Sequence, residues 1–214
     1  MKIWLESVDL PLIEKGVRLG LLHGVVTLPS HLTLKPRELI ANLAAAQPGP
    51  VVVDIYSDFE KNGRLVANIS PQIALRLPAV QEAWEAIHQF SKDKLPVIVG
   101  AIFSPIHALV AARAGASFVS PHLSRMLKTG DRPFEQIESI QKIIRNYQFP
   151  TEVIALYPKI LEQIKACAEI GISGVILRED LYKELLESHE LAAFHVEQSV
   201  LEGEKSIVLL SSNE

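Results

Sequence analysis

Apolar residues fall along this chain in short unbroken runs and, between the runs, in stripes at helical spacing; the two kinds of segment alternate almost throughout. Residues 97–103, VIVGAIF, are the clearest run. It is too short for an ordinary globular helix and rich in Val and Ile, which suits a strand buried on both faces. Ser104 then offers an N-cap, Pro105 fits the first helical position, and Leu109, Ala112 and Arg113 lead to Gly115 as a C-terminal stop. Residues 117–120 read as another strand. Strand, helix and strand make a right-handed βαβ unit with its two strands parallel.

The same alternation runs on both sides. Strands are predicted at 3–5, ending at Glu6, and at 24–28, 51–56, 73–77, 152–157 and 174–177. Helices are predicted at 10–20, 35–46, 80–90, 134–147, 158–169 and 180–188, the fourth carrying Ile137, Ile140, Ile143 and Ile144 on one face. Between the third and fourth strands, residues 57–72 are polar and broken by Gly63, so a short irregular crossover is expected there. Eight parallel strands, each with its crossover, point to a closed (β/α)₈ TIM barrel, ahead of an open doubly wound sheet. A further amphipathic stretch at about 191–201, followed by a short tail, has no place in a minimal barrel. It reads as an extra C-terminal helix that packs on a neighbouring subunit or closes the bottom of its own barrel.

In such a barrel the strand ends converge on one mouth. The polar residues there are Glu6, Thr27, Asp54, Arg76, Ser104, Ser120 with His122 and Arg125, Tyr157 with Lys159, and Arg178 with Glu179. Charges of both signs can attract an anion and position an acid or base, and they can equally form a neutralising salt-bridge network.

Composition narrows this picture. A chain of 214 residues, 48% of them hydrophobic, can bury one sizeable core, so residues 1–214 are expected to form a single domain. A formal net charge of −4 without a basic cluster argues against a nucleic-acid surface. No apolar run approaches the roughly 20 residues of a membrane span. Cys167 is the only cysteine, and the opening MKIWLES lacks a signal-peptide core, so a cytoplasmic location is expected. The chain holds no GxGxxG, GxxxxGK[ST], HExxH or GxSxG, and its seven histidines are scattered, so no cofactor and no metal site is expected.

LPS at 28–30, LRLP at 75–78, AIFSPIHALVAARAGASFVSPHLSR at 101–125, TEVIA at 151–155 and KACAEIG around Cys167 resemble the transaldolase family, in particular its short fructose-6-phosphate aldolase-like branch. The resemblance implies a class I aldolase-like (β/α)₈ barrel, sugar-phosphate chemistry, and a homo-oligomer, a pentamer or decamer, whose C-terminal helix reaches a neighbour. It also implies a Schiff-base lysine on the fourth strand, where this chain has Arg76. A guanidinium stays protonated and cannot become the neutral amine that an imine needs. Around it, Leu28 and Ile98 stand where the family has asparagines, and Gly100 where it has a threonine. Glu6 and Asp54 keep the two acidic positions. Ser120 and Arg125 match the family's SPxxxR, while Tyr157 and Lys159 replace its serine and arginine after the seventh strand. His122 stands where the branch has a proton-handling tyrosine.

Two kinds of function follow. One is a transaldolase-like protein without Schiff-base chemistry that binds a phosphorylated sugar or related anion through Ser120, Arg125, Tyr157 and Lys159. The other is an enzyme of altered chemistry, with Glu6, Asp54 and His122 moving protons and Arg76 stabilising an oxyanion, or with Lys159 as a relocated imine-forming lysine.

Overall fold

A computed structural model of the chain describes residues 1–32, 35–130 and 132–187, with Ala192, Val196, Ser199 and Val200 beyond them. The chain divides into two compact units, Met1–Leu181 and Tyr182–Glu214.

The first unit contains a closed barrel of parallel strands in sequence order, β1 to β8, with β1 pairing β8. In chain order the elements are β1 (Lys2–Glu6), α1 (Leu10–Arg18), β2 (Gly24–Val26), α2 (Pro36–Ala46), β3 (Val51–Asp54), α3 (Phe59–Ala67), β4 (Ile73–Pro78) and α4 (Trp84–Lys92). There follow β5 (Val97–Ile102), α5 (Pro105–Ala114), β6 (Phe118–Pro121), α6 (Leu123–Lys128), α7 (Pro133–Asn146), β7 (Glu152–Leu156), α8 (Leu161–Ile170), β8 (Gly174–Arg178) and α9 (Glu179–Leu186). Among the described residues no helix is long and apolar enough to cross a membrane.

The strands read as continuous apolar runs because both their faces are covered. Side chains alternate along a strand, and one residue from each strand enters the interior: Trp4, Val26, Val52, Ala74, Ile98, Phe118, Ile154 and Ile176 form one buried cluster. Their neighbours, such as Leu5, Val25, Val53, Leu75, Val99, Val119, Val153 and Val175, are equally buried on the outer, helix-covered face. The centre of the barrel is thus packed shut. Two residues further along the strand direction lies the next inward layer, which is polar: Glu6, Asp54, Arg76, Ser120 and Arg178, together with Leu28, Gly100 and Leu156.

The helix signals of α5 behave as expected. The Ser104 hydroxyl accepts from the Ile106 N–H at 3.3 Å, and Gly115 closes the helix at φ 96°. Ser104 is therefore a cap rather than a mouth residue, and Thr27, fully buried, donates its hydroxyl to the Val52 carbonyl at 3.1 Å.

Three local expectations need correction. The crossover at 57–72 is not irregular: it holds α3, and Gly63 sits inside that helix because a Cβ there would clash with the Phe90 ring of α4. Glycine marks a close approach at this point, not a break. The helix expected from Pro158 begins only at Leu161, because Tyr157 takes a left-handed φ of 59° and the chain turns before winding. The helix expected over 80–90 opens as a 3₁₀ turn, Gln81–Ala83, before α4. The stretch at 191–201 lies outside the described residues except for Ala192, Val196, Ser199 and Val200, which are helical.

Candidate functional site at the barrel mouth

Above the polar layer opens a cavity of about 400 Å³, lined by Asp54, Tyr56, Arg76, Gly100, Ala101, His122, Ser124, Arg125, Lys128, Tyr157 and Arg178, with Leu28, Pro78 and Leu156. A neighbouring cavity of about 330 Å³ shares Ser124, Lys128, Tyr157 and Arg178 with it and adds Pro158, Lys159, Asp180 and Leu181. The two form adjoining lobes of one mouth.

On the β3–β4 side, Asp54 and Arg76 face each other in register. The Arg76 Nη2 donates to Asp54 Oδ2 at 2.8 Å, and Nε donates to Oδ1, so the pair is bidentate. Both side chains are almost inaccessible, Asp54 at 1% and Arg76 at 8% exposure. Burial works to lower the Arg76 pKa, but the Asp54 hydrogen bonds and charge outweigh it and hold the guanidinium above its ordinary value. Its Nη1 is buried and has no hydrogen-bond partner among the described residues. The Tyr56 hydroxyl also donates to Asp54 Oδ2, at 2.9 Å; burial and the Asp54 charge push this phenol up to about 12.

On the β1–β7–β8 side, Glu6 lies beneath the cavity with its side chain 5% exposed. Tyr157 donates its hydroxyl to Glu6 Oε2, and Arg178 Nε stands 3.7 Å from Oε1. The Arg178 guanidinium also lies over the Tyr157 ring, 4.8 Å from its centroid. An aromatic residue at positive φ is uncommon, and here it turns the Tyr157 ring back over the barrel toward Glu6. Burial raises the Glu6 carboxyl from 4.5 to about 7, with Arg76 and Arg178 pulling down and Asp54 pushing up.

His122 stacks on Phe103 at 6.1 Å and meets the Tyr157 ring edge-on at 5.5 Å. Burial, then the charge of Arg125, lowers its pKa to about 4, so it is a neutral imidazole at physiological pH. Between β4 and β6, β5 is bulged: its register shifts between Val99 and Ile102, with Ala101 at φ 53°.

A sequence profile described as transaldolase/fructose-6-phosphate aldolase matches residues 36–210. The chain belongs to that family. It is 30% identical over 216 residues to a probable transaldolase of Aquifex aeolicus, covering 96% of this chain and 97% of that protein. It is 35% identical over 163 residues to a probable transaldolase of Herpetosiphon aurantiacus, covering 72% and 73% respectively. A probable transaldolase of Dictyoglomus turgidum is 28% identical over 212 residues, 96% of this chain and 99% of that one.

In this transaldolase-family barrel the residues singled out in the sequence gather at one end, in different positions. Asp54, Arg76, His122, Arg125 and Tyr157 line the central lobe. Glu6 and Ser120 lie below it, Ser120 fully buried with a hydroxyl that has no partner among the described residues. Lys159 lines the adjoining lobe. Lys128 faces both lobes and is not among the residues the sequence singles out, because α6, which carries it one turn after Arg125, has no cap or apolar stripe to announce it. Among the described residues neither Arg125 nor Lys128 has a carboxylate at ion-pair distance, and no three His, Cys, Asp or Glu side chains gather where they could share a metal ion. The mouth therefore has a buried, internally neutralised floor and a cationic rim. Such a rim suits an anion.

Proposed function

We propose that this protein binds a small phosphorylated sugar or related anion at the barrel mouth and has lost the Schiff-base chemistry of its family. The observation that carries this reading is Arg76. It occupies the fourth-strand position that the resemblance gives to the imine-forming lysine, and it is locked to Asp54 as a buried bidentate pair. A guanidinium in that setting serves as a fixed charge and hydrogen-bond donor, not as a nucleophile. Arg125, Lys128 and Arg178 supply the cations for the phosphate, with Lys159 at the edge of the second lobe. Tyr157 and His122 are polar groups that line the same lobe, with the buried Ser120 beneath it. The test is a thermal-shift screen of phosphorylated sugars: a ligand at 100 times its Kd stabilises the folded state by about 2.7 kcal/mol. No shift with any of them overturns the reading.

A second reading, an enzyme of altered chemistry, is favoured by one observation: the Glu6 carboxyl titrates near neutrality, where a general base works best. In it Glu6 and Asp54 move protons, His122 acts as a neutral donor or acceptor, and the free Nη1 of Arg76 receives a developing oxyanion. Lys159 as a relocated imine-forming lysine belongs to the same reading.

We also place the protein in the cytoplasm as one functional domain in a homo-oligomer, a pentamer or decamer. The support is the resemblance together with Val196 and Val200, one helical turn apart in the C-terminal segment.

A further inference from the structure

The second charge cluster of the mouth, Glu6 with Tyr157 and Arg178, has a division of labour that its geometry exposes. The Glu6 carboxyl is fixed: it is buried, and Tyr157 hydrogen-bonds one of its oxygens from above. The Arg178 guanidinium is the movable member. Its side chain is 62% exposed, it lines both lobes of the cavity, and it reaches Glu6 only across 3.7 Å, at the far edge of an ion pair. The other cation facing Glu6, Arg76, is committed to Asp54 by two hydrogen bonds.

We propose that Arg178 is an anion-binding residue shared between Glu6 and the ligand: when a phosphate-type dianion enters the mouth, Arg178 turns to it and Glu6 takes up a proton. This rests on the reading that the mouth binds such an anion. The exchange balances. A buried carboxylate that loses its only available cation cannot remain ionised at low cost, whereas its protonated form needs no counter-charge. The proton comes from solvent and sits on Oε1, the oxygen Arg178 leaves, while Oε2 keeps the Tyr157 hydrogen bond. The incoming negative charge acts in the same direction. The groups that face Glu6 are Arg76, Arg178, Asp54 and Tyr157, and of these only Arg178 changes partner.

Because Glu6 already titrates near 7 without ligand, the coupling falls in an accessible range. If the ligand raises that value by about one unit, binding near pH 7.5 takes up about half a proton, and affinity falls about tenfold between pH 6 and pH 9.

The experiment is calorimetric titration with inorganic sulfate, which does not itself titrate near neutrality, in buffers of different ionisation enthalpy. Inorganic phosphate serves as the second probe. The expected result is proton uptake by the natural protein, none by Glu6→Gln, and for Glu6→Gln an affinity held at the low-pH level across the range. Arg178→Met, at an exposed position, should weaken binding and reduce the uptake to the smaller part that the anion's own charge induces. Binding without uptake, or Arg178→Met binding sulfate as the natural protein does, overturns the inference while leaving the anion site standing. If neither sulfate nor phosphate binds, the inference and the functional reading fall together.

Discussion

Replacing Arg76 by methionine is the perturbation that probes the floor of the mouth most sharply. The substitution keeps the length and apolar stem of the side chain but removes the guanidinium that satisfies both oxygens of Asp54. What remains is a carboxylate at 1% exposure whose one hydrogen bond among the described residues comes from the Tyr56 hydroxyl. Breaking one half of a buried pair costs about 3–5 kcal/mol, because the surviving charge keeps its desolvation penalty and loses its partner. In a domain of this size, 1 kcal/mol shifts Tm by about 2–4 °C, so Arg76→Met should melt about 6–20 °C lower. Removing both charges, as Asp54→Leu with Arg76→Met, should recover most of that loss, since apolar replacements of buried pairs are often neutral or stabilising. The assay is urea unfolding of both single variants and the double, closed as a thermodynamic cycle. A loss below 1 kcal/mol for Arg76→Met, or additivity across the cycle, would refute the reasoning that the floor is a mutually dependent buried pair.

Three further outcomes are expected. Glu6 binds its proton more tightly folded than unfolded, so its contribution to stability is fully present below about pH 4.5 and is lost as pH rises to about 7. The full difference is about 3 kcal/mol, and Glu6→Gln should remove that slope from a series of urea midpoints; an unchanged slope places the effect on another group. Arg125→Ala and Lys128→Ala should each weaken sulfate or phosphate binding by about 10- to 100-fold, the worth of one charge-assisted hydrogen bond, and Lys159→Ala by less because it lines the outer lobe. Equal effects of all three in calorimetry would move the anion into the second lobe. Gly100→Ala should leave Tm within about 2–4 °C, since a Cβ there meets the Arg76 Cγ and Cδ at an ordinary 3.6 Å; a large drop in melting would mean that β5 needs the glycine for its bulge.

The barrel was legible because burial on both faces leaves an unmistakable mark: runs such as VIVGAI and VVV have room for few polar residues, and the interruptions fall where strands end. Glu6, Asp54, Arg76 and Ser120 were legible for the same reason. Glu6, Asp54 and Ser120 come at the ends of apolar runs and Arg76 interrupts one, and the two-residue period puts all four in the layer above Trp4, Val52, Ala74 and Phe118. What escaped is what depends on contacts distant in sequence. Gly63 reads as a helix breaker until Phe90 is packed against it, and Pro158 reads as a helix start until Tyr157 adopts positive φ. Lys128 joins the rim only because α6 forms, six residues that no cap or apolar stripe announces. The pairing of Glu6 with Tyr157 spans 151 positions, and nothing local to either residue predicts it.

Reductive trapping tests the central claim most directly. The protein is incubated with fructose 6-phosphate or dihydroxyacetone, treated with sodium borohydride, and digested for mass analysis of its lysine peptides. With Arg76 in the fourth strand and no imine-forming amine in its place, the expected result is no ketose-derived mass on any lysine, although fructose 6-phosphate raises Tm in the same preparation. A stoichiometric adduct on the peptide containing Lys159 or Lys128, accompanied by release of glyceraldehyde 3-phosphate from fructose 6-phosphate, would contradict the account and make the protein an aldolase with a relocated lysine.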